Sequence, residues 1–156
     1  MEKNERKIKK IGTIVISLFV FAYLLNFFWE SFHSVFLYEG HNFNAAKYVF
    51  MVGYVSIIDG LLILGSYFLI SFLWRDFFWI KEKNIKPFTL FIIINLIVAL
   101  IIEYRALFIL EKWSYNDLMP TIFGIGLSPL VQLSITGIIA VWFTGRFIGK
   151  FEKFKR

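Results

Sequence analysis

The stretch YVFMVGYVSIIDGLLILGSYFLISFLW, residues 48–74, decides the fold class of this chain. Its 27 residues contain one charged side chain, that of Asp59, and no proline. A bilayer core of about 30 Å is crossed by about 20 apolar residues in a helix. Residues 48–74 are therefore predicted to form a transmembrane helix that carries Asp59 inside the membrane.

Three further apolar stretches are long enough to cross a bilayer as helices. The sequence therefore predicts an all-α polytopic membrane protein, with one domain over residues 1–156 built as a bundle of four transmembrane helices. The predicted spans are residues 11–29, 48–74, 88–110 and 118–145. A first helix that runs on to Tyr38 is an alternative that leaves the topology unchanged.

The composition supports a membrane protein and excludes several functional classes. Of the 156 residues, 58% are hydrophobic, 21% are aromatic and 18% are charged, against about a quarter charged in soluble domains. The chain has no cysteine, which excludes disulfides, thiolate metal sites and cysteine nucleophiles. The formal net charge is +6, but the basic residues lie at the ends of the apolar stretches, so we do not expect nucleic acid as a partner.

The distribution of lysine and arginine predicts the orientation of the helices. Fourteen of the 17 basic residues lie before the first span, between the second and third, or after the fourth, and three lie on the alternate segments. Because basic residues concentrate on the cytoplasmic side, both termini are predicted to be cytoplasmic, in a multi-pass protein of the cell membrane. The tryptophans fall at span ends, as an interfacial belt requires: Trp29 and Trp113 outside, and Trp74, Trp79 and Trp142 inside.

Polar and ionisable side chains within the spans are the candidate functional residues. Such side chains are costly to insert, so they usually face the bundle interior and mark functional sites. Asp59 and Gln132 lie near the predicted midplane, and Glu103 lies about 10 Å below the outer surface at about 1.5 Å of rise per residue. Because the inner halves carry little that is polar beyond Ser, Thr and Asn95, the pattern predicts a cavity that opens outward and closes near Asp59.

The end of the first span carries polar residues on one helical face. Asn26, Glu30 and His33 stand at positions i, i+4 and i+7, a spacing that places them together. We expect them to form the mouth of the cavity, and we group Trp29 with them as a candidate for substrate binding. Residues 113–115, W-S-Y, are predicted either to anchor the membrane interface or to cover this mouth.

The fourth span contains the stretch GIGLSPLVQL, residues 124–133. Proline inside a helix removes a backbone hydrogen bond and bends the helix. Pro129 is therefore predicted to kink the fourth helix, and the side chains of Ser128 and Gln132 are predicted to point inward, toward the cavity.

Structural explanations compete with functional ones at these positions. Asp59 could hydrogen-bond to a neighbouring helix, and Glu103 could pair with Arg105, although residues two apart on a helix point to different sides. Glu30 and His33 could form a hydrogen-bond cluster at the rim, or bind a single metal ion together with another carboxylate. Our main interpretation includes neither a metal nor a cofactor.

Several short motifs follow one another along the chain. In order, they are Asn26-x-x-Trp29-Glu30, Asp59-Gly60, Glu103, Trp113-x-Tyr115, Met119-Pro120 and Gly124-x-Gly126-x-Ser128-Pro129-x-x-Gln132. This set resembles the motifs of a family of small prokaryotic multi-pass membrane proteins, and the resemblance covers residues 24–132. The family implies the multi-pass fold and no established activity.

The first of these motifs alone also resembles an element of the membrane-embedded terpene cyclases of meroterpenoid pathways. In those enzymes, intramembrane carboxyl groups start cyclisation by protonating an epoxide or an alkene. Only Asn26, Trp29 and Glu30 carry over, and Asp59 or Glu103 would have to serve as the second acid. Those cyclases are longer and have more spans than this chain.

These features together predict an integral-membrane enzyme that performs acid–base chemistry on a lipid-soluble, isoprenoid-like substrate by cyclisation, hydration or isomerisation. The catalytic candidates are Glu30, Asp59 and Glu103. The candidates for substrate binding are Asn26, Trp29, His33, Trp113, Tyr115, Ser128 and Gln132. One alternative is a small proton- or cation-coupled transporter or channel component, and another is an accessory subunit of a membrane complex. The expected partner is a membrane lipid or isoprenoid substrate, and a homo-oligomer stays open.

Overall fold

The structure, a computed structural model, describes residues 2–39, 44–81 and 84–154. Four long helices dominate the described residues. They are α1 (Glu2–Leu37), α2 (Ala45–Trp74), α3 (Ile85–Tyr104) and α4 (Leu127–Phe154). A 3-10 turn (Trp79–Lys81) precedes α3, a π-helical turn (Arg105–Ile109) follows it, and a hairpin of β1 (Thr121–Ile122) and β2 (Ile125–Gly126) leads into α4.

All four helices are long and apolar enough to cross a membrane, which confirms the predicted all-α, multi-pass class. The membrane-crossing segments are Asn4–Leu37, Ala45–Trp74, Ile85–Ile109 and Leu127–Gly149. α1 packs against α2 and α4, and α3 packs against α4 and less extensively against α2. The four helices therefore form a square bundle whose least extensive side is the seam between α2 and α3.

Large apolar side chains cover the outer faces of the helices. Phe50 and Phe72 on α2 are 77% and 79% exposed, and Ile97 on α3 is half exposed. In water this arrangement would be costly, but lipid tails are as apolar as these side chains. The outer surface therefore fits a bilayer, and the buried interior contains aliphatic side chains such as Leu18 and Ile63, polar groups and one aromatic cluster.

That aromatic cluster fills one end of the bundle. Tyr67, Trp79 and Phe91 are fully buried, with the Trp79 ring centroid 5.2 Å from that of Tyr67 and 5.9 Å from that of Phe91. The Trp79 indole donates to Ser71 Oγ at 3.2 Å, so its polar atom is satisfied. The 3-10 turn that follows α2 thus closes the bundle at the end that the sequence predicts to be cytoplasmic.

The first helix extends beyond the predicted span of 11–29 and ends at Leu37, close to the alternative end at Tyr38. The chain after α3 holds this end in place. The side chain of Asn116 donates to the carbonyl of Phe36 at 2.8 Å, and the backbone N–H of Asn116 donates to the carbonyl of Leu37 at 3.1 Å. Two carbonyls of the last turn of α1 are therefore satisfied by a neighbouring loop rather than by water.

The fourth helix begins at Leu127 rather than at residue 118, so the start predicted for this span is wrong. Residues 121–126 form an antiparallel hairpin, and its two turn residues, Phe123 and Gly124, have φ values of 51° and 78°. Two successive positive φ angles are typical of the two-residue turn that joins twisted strands. Pro129 consequently lies in the first turn of α4, where its missing N–H breaks no helical bond, and the predicted mid-helix kink is wrong.

A π-helical turn ends α3. The N–H of Leu110 donates to the carbonyl of Arg105 at 2.9 Å, a five-residue spacing, and the N–H of Lys112 donates to the carbonyl of Ala106 at 2.9 Å. Such turns insert an extra residue into a helix and often occur at functional sites. Here the turn is followed directly by residues 113–115, which fold back over the bundle.

Close packing at Gly126 allows a direct test of this fold. A Cβ atom there would lie 2.9 Å from Tyr115 Cζ and 3.0 Å from Met119 Sδ. We expect Gly126→Ala to lower the free energy of unfolding by about 1–3 kcal/mol, because this overpacking must be relieved by backbone or ring movement. Thermal unfolding in mild detergent measures the effect.

The matched control is Gly65→Ala in α2, since a Cβ atom at Gly65 meets no described atom within 4 Å. Alanine is a better helix former than glycine by up to about 1 kcal/mol, so this variant is expected to keep or raise the melting temperature. Equal melting temperatures for Gly126→Ala and Gly65→Ala would contradict the packing of the hairpin against residues 113–115.

Candidate functional site

A partly enclosed cavity of about 430 Å³ lies between the four helices. Carboxyl groups from three helices line it: Glu30 of α1, Asp59 of α2 and Glu103 of α3. The remaining lining residues are His33, Ser34, Tyr38, Met51, Val55, Ala99, Ile102, Lys112, Trp113, Pro129, Gln132 and Leu133. Three ionisable side chains that are costly to place in a membrane thus converge on one void.

Gln132 joins three helices through one nitrogen atom. Its Nε2 donates to Glu30 Oε1 at 2.7 Å, to Asn26 Oδ1 at 3.1 Å and to Asp59 Oδ2 at 3.1 Å. Gln132 and Asn26 are almost fully buried, and Glu30 exposes 12% of its side chain. The amide therefore ties α4 to α1 and α2 at the wall of the cavity.

The network around Gln132 contains more acceptors than donors. An amide nitrogen carries two hydrogens, yet three oxygens surround this one. Thr136 Oγ1 lies 3.1 Å from the same Asn26 oxygen but also 2.8 Å from the carbonyl of Gln132, and it has one hydrogen. A proton on Glu30 or Asp59 would supply the missing donor, so the arrangement is suited to hold one.

Glu103 forms the second polar centre of the cavity. It is 5% exposed, and its Oε2 accepts hydrogen bonds from the Tyr115 hydroxyl and, at 3.4 Å, from the Trp113 indole. Arg105, the predicted structural partner, is exposed on the outside of the helix. The loop after the π turn, and not Arg105, therefore provides the described hydrogen-bond donors to Glu103.

Tyr38 completes an aromatic wall around Glu103. Its ring centroid lies 5.2 Å from that of Tyr115, 6.1 Å from that of Trp113 and 4.8 Å from that of His33. Burial raises the pKa of Tyr38 above its usual value, and the nearby Glu103 carboxylate raises this pKa further. Burial and the hydrogen bond to Glu103 likewise raise the pKa of Tyr115. Both phenols therefore stay protonated and act as donors at neutral pH.

His33 is a buried imidazole whose ring nitrogens form no hydrogen bond within the described parts of the chain. It is 5% exposed, and neither ring nitrogen has a hydrogen-bond partner among the described residues. Its Nδ1 lies 3.7 Å from Glu30 Oε1, too far for a good hydrogen bond, while Ser34 Oγ already donates to Glu30 at 3.1 Å. An unsatisfied buried polar group costs about 1–3 kcal/mol, so this position calls for an explanation.

The structure brings most of the predicted site residues together. Those that line the cavity are Glu30, His33, Asp59, Glu103, Trp113 and Gln132. Two further predicted site residues contact the lining residues: Asn26 accepts a hydrogen bond from Gln132, and Tyr115 donates one to Glu103. Trp29 and Ser128 are partly exposed and are outside the described lining, so the predicted inward position of Ser128 is wrong.

Sequence reasoning missed several lining residues. Tyr38, Ser34 and Lys112 gave no signal because they lie beyond the ends predicted for the first and third spans. The apolar residues Met51 and Val55 stand four apart on α2, as do Val55 and Asp59, so the helical face of Asp59 could have revealed them.

Phe32 and Phe123, which stand close in sequence to site residues, are 52% and 98% exposed and therefore lie on the outer surface.

Metal binding has no support in the described part of the chain, where no group of three His, Asp or Glu side chains is arranged to hold an ion. Comparisons of the chain with family models, with curated proteins and with solved structures find no match. Any assignment of function must therefore come from the cavity itself.

Gln132 provides a second test. Gln132→Leu leaves Glu30, Asp59 and Asn26 without their shared donor, so we expect the free energy of unfolding to fall by about 1–3 kcal/mol. Thr144→Val is the matched control on α4, because Thr144 Oγ1 is buried with no hydrogen-bond partner in the described structure. Its removal is expected to be neutral or stabilising. Thermal unfolding in detergent measures both, and equal losses in the two variants would contradict the role given to Gln132.

Proposed function

We propose that this chain is an integral-membrane enzyme that performs acid–base chemistry on a lipid-soluble, isoprenoid-like substrate. The observation that supports this most is the convergence of Glu30, Asp59 and Glu103 from three helices on one cavity. A charged side chain at the centre of a membrane helix costs about 2.5–3.5 kcal/mol to insert on translocon scales, and such residues usually mark function. Cyclisation, hydration and isomerisation all need a proton donor and an acceptor in one pocket.

The three carboxyl groups are suited to different parts of that chemistry. The only described donor to Asp59 is the shared amide of Gln132, whereas Glu103 accepts from Tyr115 and Trp113. We therefore assign the proton donor to Asp59 and the orienting or second acid role to Glu103. Glu30, with His33 beside it, is the base.

The apolar part of the wall supports a lipid-soluble substrate. A cavity volume of 430 Å³ lies within the range of about 300–1,000 Å³ that is typical of small-molecule sites. Met51, Val55 and Leu133 offer hydrophobic surface, and Trp113 and Tyr38 offer aromatic faces that stabilise a developing cation. The resemblance of Asn26-x-x-Trp29-Glu30 to terpene cyclases adds the isoprenoid class to this proposal.

Localisation is part of the same proposal. The concentration of lysine and arginine on alternate segments favours a cell-membrane protein with both termini in the cytoplasm. In that orientation the cavity lies in the outer half of the bilayer, and the cluster of Tyr67, Trp79 and Phe91 seals the cytoplasmic half.

The test begins with mass spectrometry of lipids that the protein retains after mild detergent extraction, followed by turnover of the identified lipid by the purified protein. We expect Asp59→Asn and Glu103→Gln each to lower turnover at least about a hundredfold, as for loss of a general acid. The matched control is Glu111→Gln, which changes an exposed carboxyl group outside the cavity and should keep full turnover.

Two results would count against the enzyme. Ion-dependent flux in liposomes that Asp59→Asn and Glu103→Gln both stop, without lipid turnover, would favour the transporter. Loss of melting temperature in both variants, with neither turnover nor flux, would favour an accessory subunit whose carboxyl groups are structural.

A further inference from the structure

The cavity wall changes in polarity from one helix to the next. Every lining residue from α1 is polar, and among the described lining residues His33 is the one whose ring nitrogens have no hydrogen-bond partner. The apolar residues Met51 and Val55 lie on α2 together with Asp59, and Ala99 and Ile102 lie on α3 together with Glu103. A ligand that fills this cavity therefore meets polar groups along α1, and both hydrophobic surface and an acidic group on each of α2 and α3.

The two ring nitrogens of His33 indicate which hydrogen-bonding groups the polar end of the ligand carries. A neutral imidazole has one N–H donor and one nitrogen acceptor, and a hydroxyl group has one donor and acceptor lone pairs. The other polar groups on this wall are engaged, since Ser34 donates to Glu30 and Gln132 donates to Glu30 and Asp59. His33 is thus the group on the α1 wall that a hydroxyl can satisfy without breaking an existing hydrogen bond.

Charge on the wall excludes an anionic head next to His33. Glu30, the assigned base and therefore an ionised carboxylate, lies 3.7 Å from His33, and like charges in a medium of low dielectric repel strongly. Lys112 is the lining residue with a positive charge, and it lies on the exposed loop after the π turn. A neutral head therefore fits better than a carboxylate or a phosphate.

The seam between α2 and α3 provides a route for an apolar tail. On one side of the cavity the seam is closed by a hydrogen bond of 3.2 Å from Ser66 Oγ to Asn95 Oδ1. Beside the cavity the two helices present Val55 and Ala99, and Ile102 is both part of the cavity lining and 37% exposed on the outer surface. Ile102 thus joins the cavity wall to the lipid-facing surface of the bundle.

We propose that the cavity binds a long-chain alcohol of the bilayer, with its hydroxyl group hydrogen-bonded to His33 and its tail leaving between α2 and α3. This inference rests on the proposed function and names the substrate class: the polar end is a neutral hydroxyl, and entry is from the lipid rather than from water. His33 acts here as a binding residue for the hydroxyl, in addition to its place beside Glu30.

The experiment uses the full chain in bilayer nanodiscs and a long-chain primary alcohol that carries a photoactivatable diazirine near the end of its tail. Irradiation followed by peptide mass spectrometry maps where the tail lies. We expect saturable labelling on α2 near Val55 and on α3 near Ile102, and the unlabelled alcohol should compete for it. The carboxylate and the alkane of the same chain length should compete at least about tenfold less well, the loss expected for one buried hydrogen bond to the head.

The variant His33→Phe tests the proposed hydrogen bond between His33 and the hydroxyl group of the alcohol. This variant keeps a ring of similar shape and removes both nitrogens, so we expect the alcohol to bind about tenfold more weakly. Its melting temperature should not fall, because His33 loses no described hydrogen bond. His33→Gln retains a donor and an acceptor and should restore most of the affinity. Phe32→Leu, on the exposed neighbouring position, is the matched control and should bind as the unmodified chain does.

The results that would contradict alcohol binding differ from those that would contradict the proposed enzyme. Equal competition by the alkane, better competition by the carboxylate, or unchanged binding in His33→Phe would overturn this inference. Saturable binding of the alcohol without any turnover would support the inference and contradict the enzyme. Turnover of a lipid without a hydroxyl group, with no binding of the alcohol, would leave the enzyme standing and overturn the inference.

Discussion

The amide of Gln132 is the contact on which the cavity-containing half of the bundle depends. In lipid the hydrophobic effect does not drive helices together, so packing and polar contacts must hold them. One nitrogen of Gln132 reaches Asn26 and Glu30 on α1 and Asp59 on α2, which fixes the mutual position of three helices. The same contact places two carboxyl groups beside one cavity. The amide that holds the helices together therefore also positions two carboxyl groups of the candidate site.

The aromatic packing and the candidate site otherwise lie in different halves of the bundle. The half of the bundle around Tyr67, Trp79 and Phe91 is closed by aromatic packing, and Gly137 lies so close to Phe91 that a Cβ there would meet its ring at 2.9 Å. The other half has the void, the acids and the unsatisfied His33. A bundle of four helices can accommodate a polar cavity of this size because the half around Tyr67, Trp79 and Phe91 is tightly packed.

The sequence predicted the four helices because apolar length alone identifies a membrane span. It also found Asp59, Glu103 and Gln132, since polar residues stand out within apolar runs. It failed at the start of the fourth span. Residues 118–126 are apolar enough to be counted as part of that span, but residues 121–126 form a hairpin, which hydropathy does not distinguish from a helix. Tyr38 was missed because its place in the site depends on tertiary contacts with Tyr115 and Trp113.

The π turn at the end of α3 has a consequence for how this site can change. Successive residues of a helix are rotated by about 100° around its axis. The extra residue of the π turn therefore sets the direction in which the chain that carries Trp113 and Tyr115 continues after α3. A shortening of this turn by one residue would rotate both donors away from Glu103 without altering any side chain of the cavity. The hydrogen bonds to Glu103 thus depend on the number of residues in the π turn as well as on which residues donate them. An insertion or deletion in this turn would therefore change the site as a substitution of a site residue would.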